Sequence, residues 1–152
     1  MPERLRLSEK SVPRAVLDST ILVSAFLTPK GIAAELLRYA RRGAFHLYLS
    51  QEILDETQQV LQKRKHLRKR HPYSDEEAIM FCQGLRAGVY LVTDLPDLEG
   101  LSRDPSDDMV LATASKASSE YLVTRDKDLL CLQGYQEIHI LSPEEFAALL
   151  RK

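Results

Sequence analysis

The chain has no tryptophan, only two cysteines, and no apolar run long enough to cross a bilayer. Cys82 and Cys131 are single, far apart and in no metal-type spacing. They therefore exclude a disulfide framework and point to a reducing compartment. The most apolar early run, Ala15 to Leu27, is 13 residues long and contains Asp18, whereas a membrane-spanning helix needs about 20 apolar residues. A clean signal-peptide core and a small-residue cleavage site are also missing. The expectation is a cytoplasmic protein with no membrane partner.

An excess of charge of either sign is missing as well. The 152 residues carry 21 Lys+Arg against 22 Asp+Glu, a net charge of −1. That average conceals a contrast. Residues 63–71 read K-R-K-H-L-R-K-R-H, and setting aside their six cations leaves 15 basic residues against 22 acidic ones, a net of −7. An acidic body thus carries one dense basic stretch. With 44% hydrophobic and 28% charged residues, the composition is that of an ordinary globular chain, which excludes disordered and collagen-like readings. About 150 residues suit one domain, in which roughly 70% of the unfolded surface can be buried.

Residues 1–13 are polar and basic and read as a leader, with one domain over 14–150. Short Val/Ile/Leu-rich segments alternate with helical ones. Strands are predicted at Val16-Leu17, Phe45–Leu49, Val89–Val92, Tyr121–Val123 and Ile138–Leu141. Helices are predicted from Ser19 to Leu27, from Ile32 to Arg42, and from Ser50 through the basic run to Pro72. Others start at Ser74, where Glu77 completes a capping-box pattern, at Pro105, and at Pro143. This alternation predicts an α/β fold with a mainly parallel five-stranded sheet. In such sheets ligands bind beyond the carboxyl ends of the strands.

Acids occupy those ends. Asp18 closes the first strand, and Asp126 follows the fourth. A single acid there often just caps the next helix. Two on one edge repel unless a cation or a shared proton joins them, and all-oxygen ligands suit Mg²⁺ or Mn²⁺ better than zinc. On the helix after the second strand, Glu56 lies about 100° from the centre of the Ile53, Leu54, Thr57, Val60 and Leu61 face, Glu52 about 140° and Asp55 about 160°. Only Glu56 sits at the edge of the buried side. In the segment Asp104–Asp108, Asp104 reads as the helix cap, and Asp107 points about 60° from the apolar centre while Asp108 points away. Asp94 reads as structural, and Asp128 as a candidate extra acid or, in preference, as part of a helix start. The run containing Lys63, Arg64, Lys65, Arg68, Lys69 and Arg70 has two readings: contacts to phosphates, or a solvated helix end that favours the carbonyl dipole. Without tryptophan, and with only Tyr73 nearby, aromatic stacking on bases has little support.

Val16-Leu17-Asp18-Ser19, Ser50 with Glu56 six residues on, Asp107 with Ala112-Thr113-Ala114, and Leu122-Val123-Thr124-Arg125-Asp126 together resemble the PIN domain family. The closing Ile138-His139-Ile140-Leu141-Ser142-Pro143-Glu144-Glu145-Phe146 is similar to its VapC-like subgroup, assigned to toxins of toxin–antitoxin systems. The resemblance covers about residues 14–150. It implies a three-layer α/β/α sandwich and a metal-dependent endoribonuclease that cuts single-stranded RNA to leave a 5′-phosphate and a 3′-hydroxyl. It implies Asp18, Glu56, Asp107 and Asp126 as catalytic acids, with Asp18, Asp107 and Asp126 holding Mg²⁺ or Mn²⁺ and Ser19 and Thr124 in support. It also implies an antitoxin partner and, as in many members, a homodimer. One position departs: many relatives carry Asn where this chain has Thr20. The alternative is a PIN-like module that binds RNA or a protein without cleaving. Phospho-receiver and haloacid-dehalogenase-type readings fail, because the former needs an acidic pair and a Lys that this chain lacks and the latter needs a second Asp where Thr20 stands.

Overall fold

The computed structural model describes residues 12–97 and 105–152. The predicted leader lies mostly outside the described residues, as does the Asp104 cap. Six strands form one sheet: β1 (Arg14–Leu17), β2 (His46–Ser50), β3 (Tyr90–Val92), β4 (Tyr121–Val123), β5 (Gly134–Tyr135) and β6 (Ile138–Leu141). Their order is β3-β2-β1-β4-β6-β5. All neighbours run parallel except the β5–β6 pair. Helices flank the sheet: α1 (Ser19–Leu27), α2 (Ile32–Arg41), α3 (Gln51–Lys63), α4 (His66–Arg70), α5 (Asp75–Gly88), α6 (Pro105–Lys116), α7 (Lys127–Leu132) and α8 (Pro143–Arg151).

Strand order reverses at β1, which has β2 on one side and β4 on the other. Connections leaving in opposite directions part at that point and open a crevice at the carboxyl edge. The β1–β4 register pairs Leu17 with Val123, so Asp18 and Thr124 are the next residues off the two strands. β1 buries Ala15, Val16 and Leu17 alike, as expected of a central strand covered on both faces. The core also gathers Ile21, Leu22, Leu49, Ile53, Leu111, Leu122 and Phe146. Phe146 on α8 meets Phe45 edge-on, with ring centroids 5.0 Å apart, and also packs on Tyr121.

Local signals explain most helix ends. Asp18, Ser50, Ser74 and Ser142 each accept a backbone N–H from the first turn of the helix they precede, and Ser74 and Ser142 belong to complete capping boxes. Thr28, Pro29, Lys30 and Gly31 separate α1 from α2, which bend by 100° relative to each other. No single helix among the described residues is long and apolar enough to cross a membrane. Cys82 is buried and Cys131 exposed, both as free thiols, and burial pushes the Cys82 thiol up to about 11.

Two expectations need correction. The sheet has six strands rather than five. The extra one, β5, is two residues long, and it turns back on β6 through Gln136, whose φ is +55°. A Cβ on Gly134 would stand 3.2 Å from the Ile138 carbonyl oxygen, so the close strand approach favours glycine. The helix starting after Ser50 also stops at Lys63 instead of continuing through the basic run. Arg64 leaves helical geometry at ψ 82°, and α4 begins at His66. The last carbonyls of α3 find other donors. The Tyr73 hydroxyl donates to Leu61 O at 2.5 Å, and Arg68 Nη2 donates to Leu61 O and Gln62 O at 3.4 and 3.3 Å.

Phe146 is fully buried between Phe45 and Tyr121. Phe146→Ala should destabilise the fold by about 3–5 kcal/mol through lost burial and the cavity left behind. Urea unfolding should show this as a lower midpoint at unchanged slope, and a shift under about 1 kcal/mol would mean that the site can collapse.

Candidate active site

The crevice at the strand switch is a cleft of about 390 Å³ lined by Asp18, Glu56, Asp107 and Asp126, together with Ser19, Thr20 and several apolar side chains. The four acids selected from sequence therefore converge, although they come from four different parts of the chain.

Asp18 is held most tightly, with 4% of its surface exposed. It caps α1 by accepting the Ile21 N–H at 3.2 Å. Its Oδ1 also accepts from the Thr20 hydroxyl at 2.6 Å, and its Oδ2 from the Thr124 hydroxyl. The departure at Thr20 thus leaves the first acid with a hydrogen-bond donor two residues on. Capping and cleft-lining, which looked like alternatives in the sequence, coincide in this one carboxylate.

Thr124 is fully buried. Its hydroxyl donates to Asp18 and accepts the Asp126 N–H at 2.9 Å. One hydroxyl therefore ties together the two strand-end acids. Asp126 caps α7 by accepting the Asp128 N–H at 2.8 Å. Asp107, in the first turn of α6, is 5% exposed. Glu56 is half-buried and accepts from Ser19 Oγ at 2.6 Å, while Glu52 and Asp55 are exposed, as the helical wheel predicts. Behind the site, the buried Thr113 hydroxyl donates to Ser50 Oγ at 2.9 Å, joining α6 to the end of β2.

Ligand oxygens of Asp107, Asp126 and Asp128 all lie within 4.8 Å of one another. An all-oxygen group of this kind fits a hard divalent cation. Two members, Asp107 and Asp126, were expected from sequence. The third, Asp128, has two readings in the sequence, an extra acid or part of a helix start, and the structure places it with the other two. Its clue is its position two residues after Asp126 at a strand-to-helix turn. Asp94 lies past β3 with φ +57°, a turn conformation that Asp tolerates, and is not among the residues lining the cleft.

The basic run divides. Arg64 lines the cleft. Arg68 pairs with Asp75, donates to the last α3 carbonyls and lies 4.9 Å over the Tyr73 ring. For Arg68 the helix-end reading describes the geometry. Lys63, Lys65, Lys69 and Arg70 are exposed.

Burial pushes the Asp18 carboxyl above its ordinary value, the Thr124 and Thr20 hydroxyls and the Ile21 N–H pull it back down, and the nearby Asp126 charge raises it further. A raised folded-state pKa means that Asp18 contributes stability below its ordinary value of 3.8, and that this stability is lost as pH rises through the folded value. The buried carboxylate form of Asp18 therefore costs stability relative to its protonated form. In chelator, Asp18→Asn should flatten the decline of the melting midpoint as pH rises above 3.8. An equally steep decline in the variant contradicts this account.

The chain matches the PIN domain family over residues 14–128. No curated protein matches it. Among solved structures it is similar to VapBC2 from Rickettsia felis bound to a DNA fragment from their promoter, with a TM-score of 0.59 and 13% identity over 84% of this chain and 96% of that one. At that identity the similarity shows the fold.

Proposed function

The chain belongs to the PIN domain family, and from that premise we propose that it is a metal-dependent endoribonuclease cutting single-stranded RNA, the toxin of a toxin–antitoxin pair. The observation that carries this reading is the convergence of Asp18, Glu56, Asp107 and Asp126 on one cleft at the carboxyl edge of the sheet. The similarity to a VapBC2 complex supports an antitoxin as partner.

Asp107 and Asp126, with Asp18 beside them in the cleft and Asp128 within reach of both, would hold Mg²⁺ or Mn²⁺. When bound, such a cation lowers the pKa of a water and stabilises charge on a scissile phosphate. The chain's own groups do the rest. Thr124 keeps Asp18 and Asp126 in register through one hydroxyl. Ser19 fixes Glu56 by occupying Oε1, which leaves Oε2 to orient a water or accept its proton. Lys63, Lys65, Lys69 and Arg70 attract the polyanion towards an otherwise acidic body.

The second reading, a binding module without cleavage, rested on Thr20. Because the Thr20 hydroxyl reaches Asp18 at 2.6 Å, that departure no longer favours it.

Asp18→Asn should lower Mg²⁺- or Mn²⁺-dependent cleavage of a generic single-stranded RNA by about 10²-fold or more. Undiminished cutting by that variant sinks the assignment. Binding should weaken steeply with salt, and each of Lys63, Lys65, Lys69 and Arg70 changed to Gln should flatten the log–log slope by about 0.7 if it neutralises one phosphate. Unchanged slopes would return the run to a solvated helix end.

A further inference from the structure

The same cleft has a side that the acids do not explain. Val23 on α1, Val60 on α3, Leu67 on α4 and Val110 on α6 line it together with Arg64. Val23, Val60 and Leu67 are only half-buried, so the cleft has a partly open apolar wall. A site that held only a cation and water would gain nothing from such a wall.

The break between α3 and α4 builds it. Arg64 ends α3, and the chain then turns through Lys65 so that the Leu67 N–H donates to Arg64 O at 3.0 Å. Arg68 anchors the turn through Asp75 and the Leu61 and Gln62 carbonyls. Leu67, the one apolar residue of a nine-residue basic run, is thereby fixed facing the cleft while its cationic neighbours Lys65, Lys69 and Arg70 stay exposed.

We infer that this wall is a subsite for one unpaired nucleotide, with Arg64 taking the phosphate beside the cleaved bond and Val23, Val60 and Leu67 receiving the base. The inference rests on the nuclease reading for the identity of the reacting bond. The ligand must offer an anion to Arg64 and an apolar face to the wall within a few ångströms, as a nucleotide does. A base can reach the wall only when splayed from a single strand, because a duplex keeps its bases stacked. A cleft of about 390 Å³ lies within the range of about 300–1,000 Å³ usual for small-ligand sites. No aromatic ring lines it among the described residues. The contact is therefore one of apolar burial, which makes the subsite tolerant of base identity.

The experiment measures fluorescence anisotropy of two labelled single-stranded ten-mers of equal charge, one RNA of mixed sequence and one lacking its bases. It is done with Mg²⁺ in an Asp18→Asn background, so that cutting does not intrude. The base-bearing strand should bind about tenfold more tightly than the abasic one, as burial of about 55 Å² of base surface on the apolar wall implies. Leu67→Ala and Val23→Ala should each narrow that ratio by about threefold. Arg64→Gln should weaken both strands alike and reduce the salt slope by about 0.7. Equal affinity for the two strands in the parent protein overturns the base subsite, whatever the Leu67 variant does and even if wild type cuts RNA. An unchanged slope for Arg64→Gln overturns the role given to Arg64. Discrimination between the strands without any cutting by wild type would leave the subsite standing and remove the nuclease reading.

Discussion

The site depends on how carboxylates that repel one another are kept together. Asp18 and Asp126 end neighbouring strands at the point where the sheet order reverses. The Thr124 hydroxyl donates a hydrogen bond to Asp18 and accepts one from the Asp126 backbone N–H. Asp18 also accepts from Thr20 and Ile21, so its charge is buried but well supplied with donors. The hydrogen bonds offset part of the desolvation cost of that carboxylate. Two adjacent features serve this arrangement: the Ser19–Glu56 bond and the buried Thr113–Ser50 pair that seats α6.

The basic stretch plays two parts that its composition does not separate. Arg68 stabilises the corner at which α3 ends, and Arg64, itself exposed, lines the cleft. The corner aims one apolar and one cationic side chain into the cleft and leaves other cations outside. A continuous helix through residue 70 would have spread the same residues around its axis at about 100° each. The break is therefore what gives the run a direction.

Much of this was legible in the sequence, because the signals were local. The capping box at Ser74, Pro143 at the first position of its helix, the turn at residues 28–31 and the helical placement of Glu56 and Asp107 all depend on neighbours a few residues away. Illegible features depended on distant partners. The break at Arg64 relies on carbonyls being taken over by Tyr73 and Arg68. β5 is too short to show any alternation and exists through its pairing with β6. Asp128 joins Asp107 only because the fold brings the first turns of α6 and α7 close enough for their carboxylate oxygens to lie within 4.8 Å. The roles of Arg64 and Arg68 could not be told apart while both were one letter in a run of like charge.

The two sheet edges bear on association. One edge is β3, three residues long, with Tyr90 stacked on Tyr48, and the other is β5, only two residues long. Neither offers a passing strand more than a residue or two of main-chain ladder, and short edges of this kind discourage templated pairing between chains. Recognition of another protein then shifts from main-chain pairing to side chains, where sequence can specify the partner.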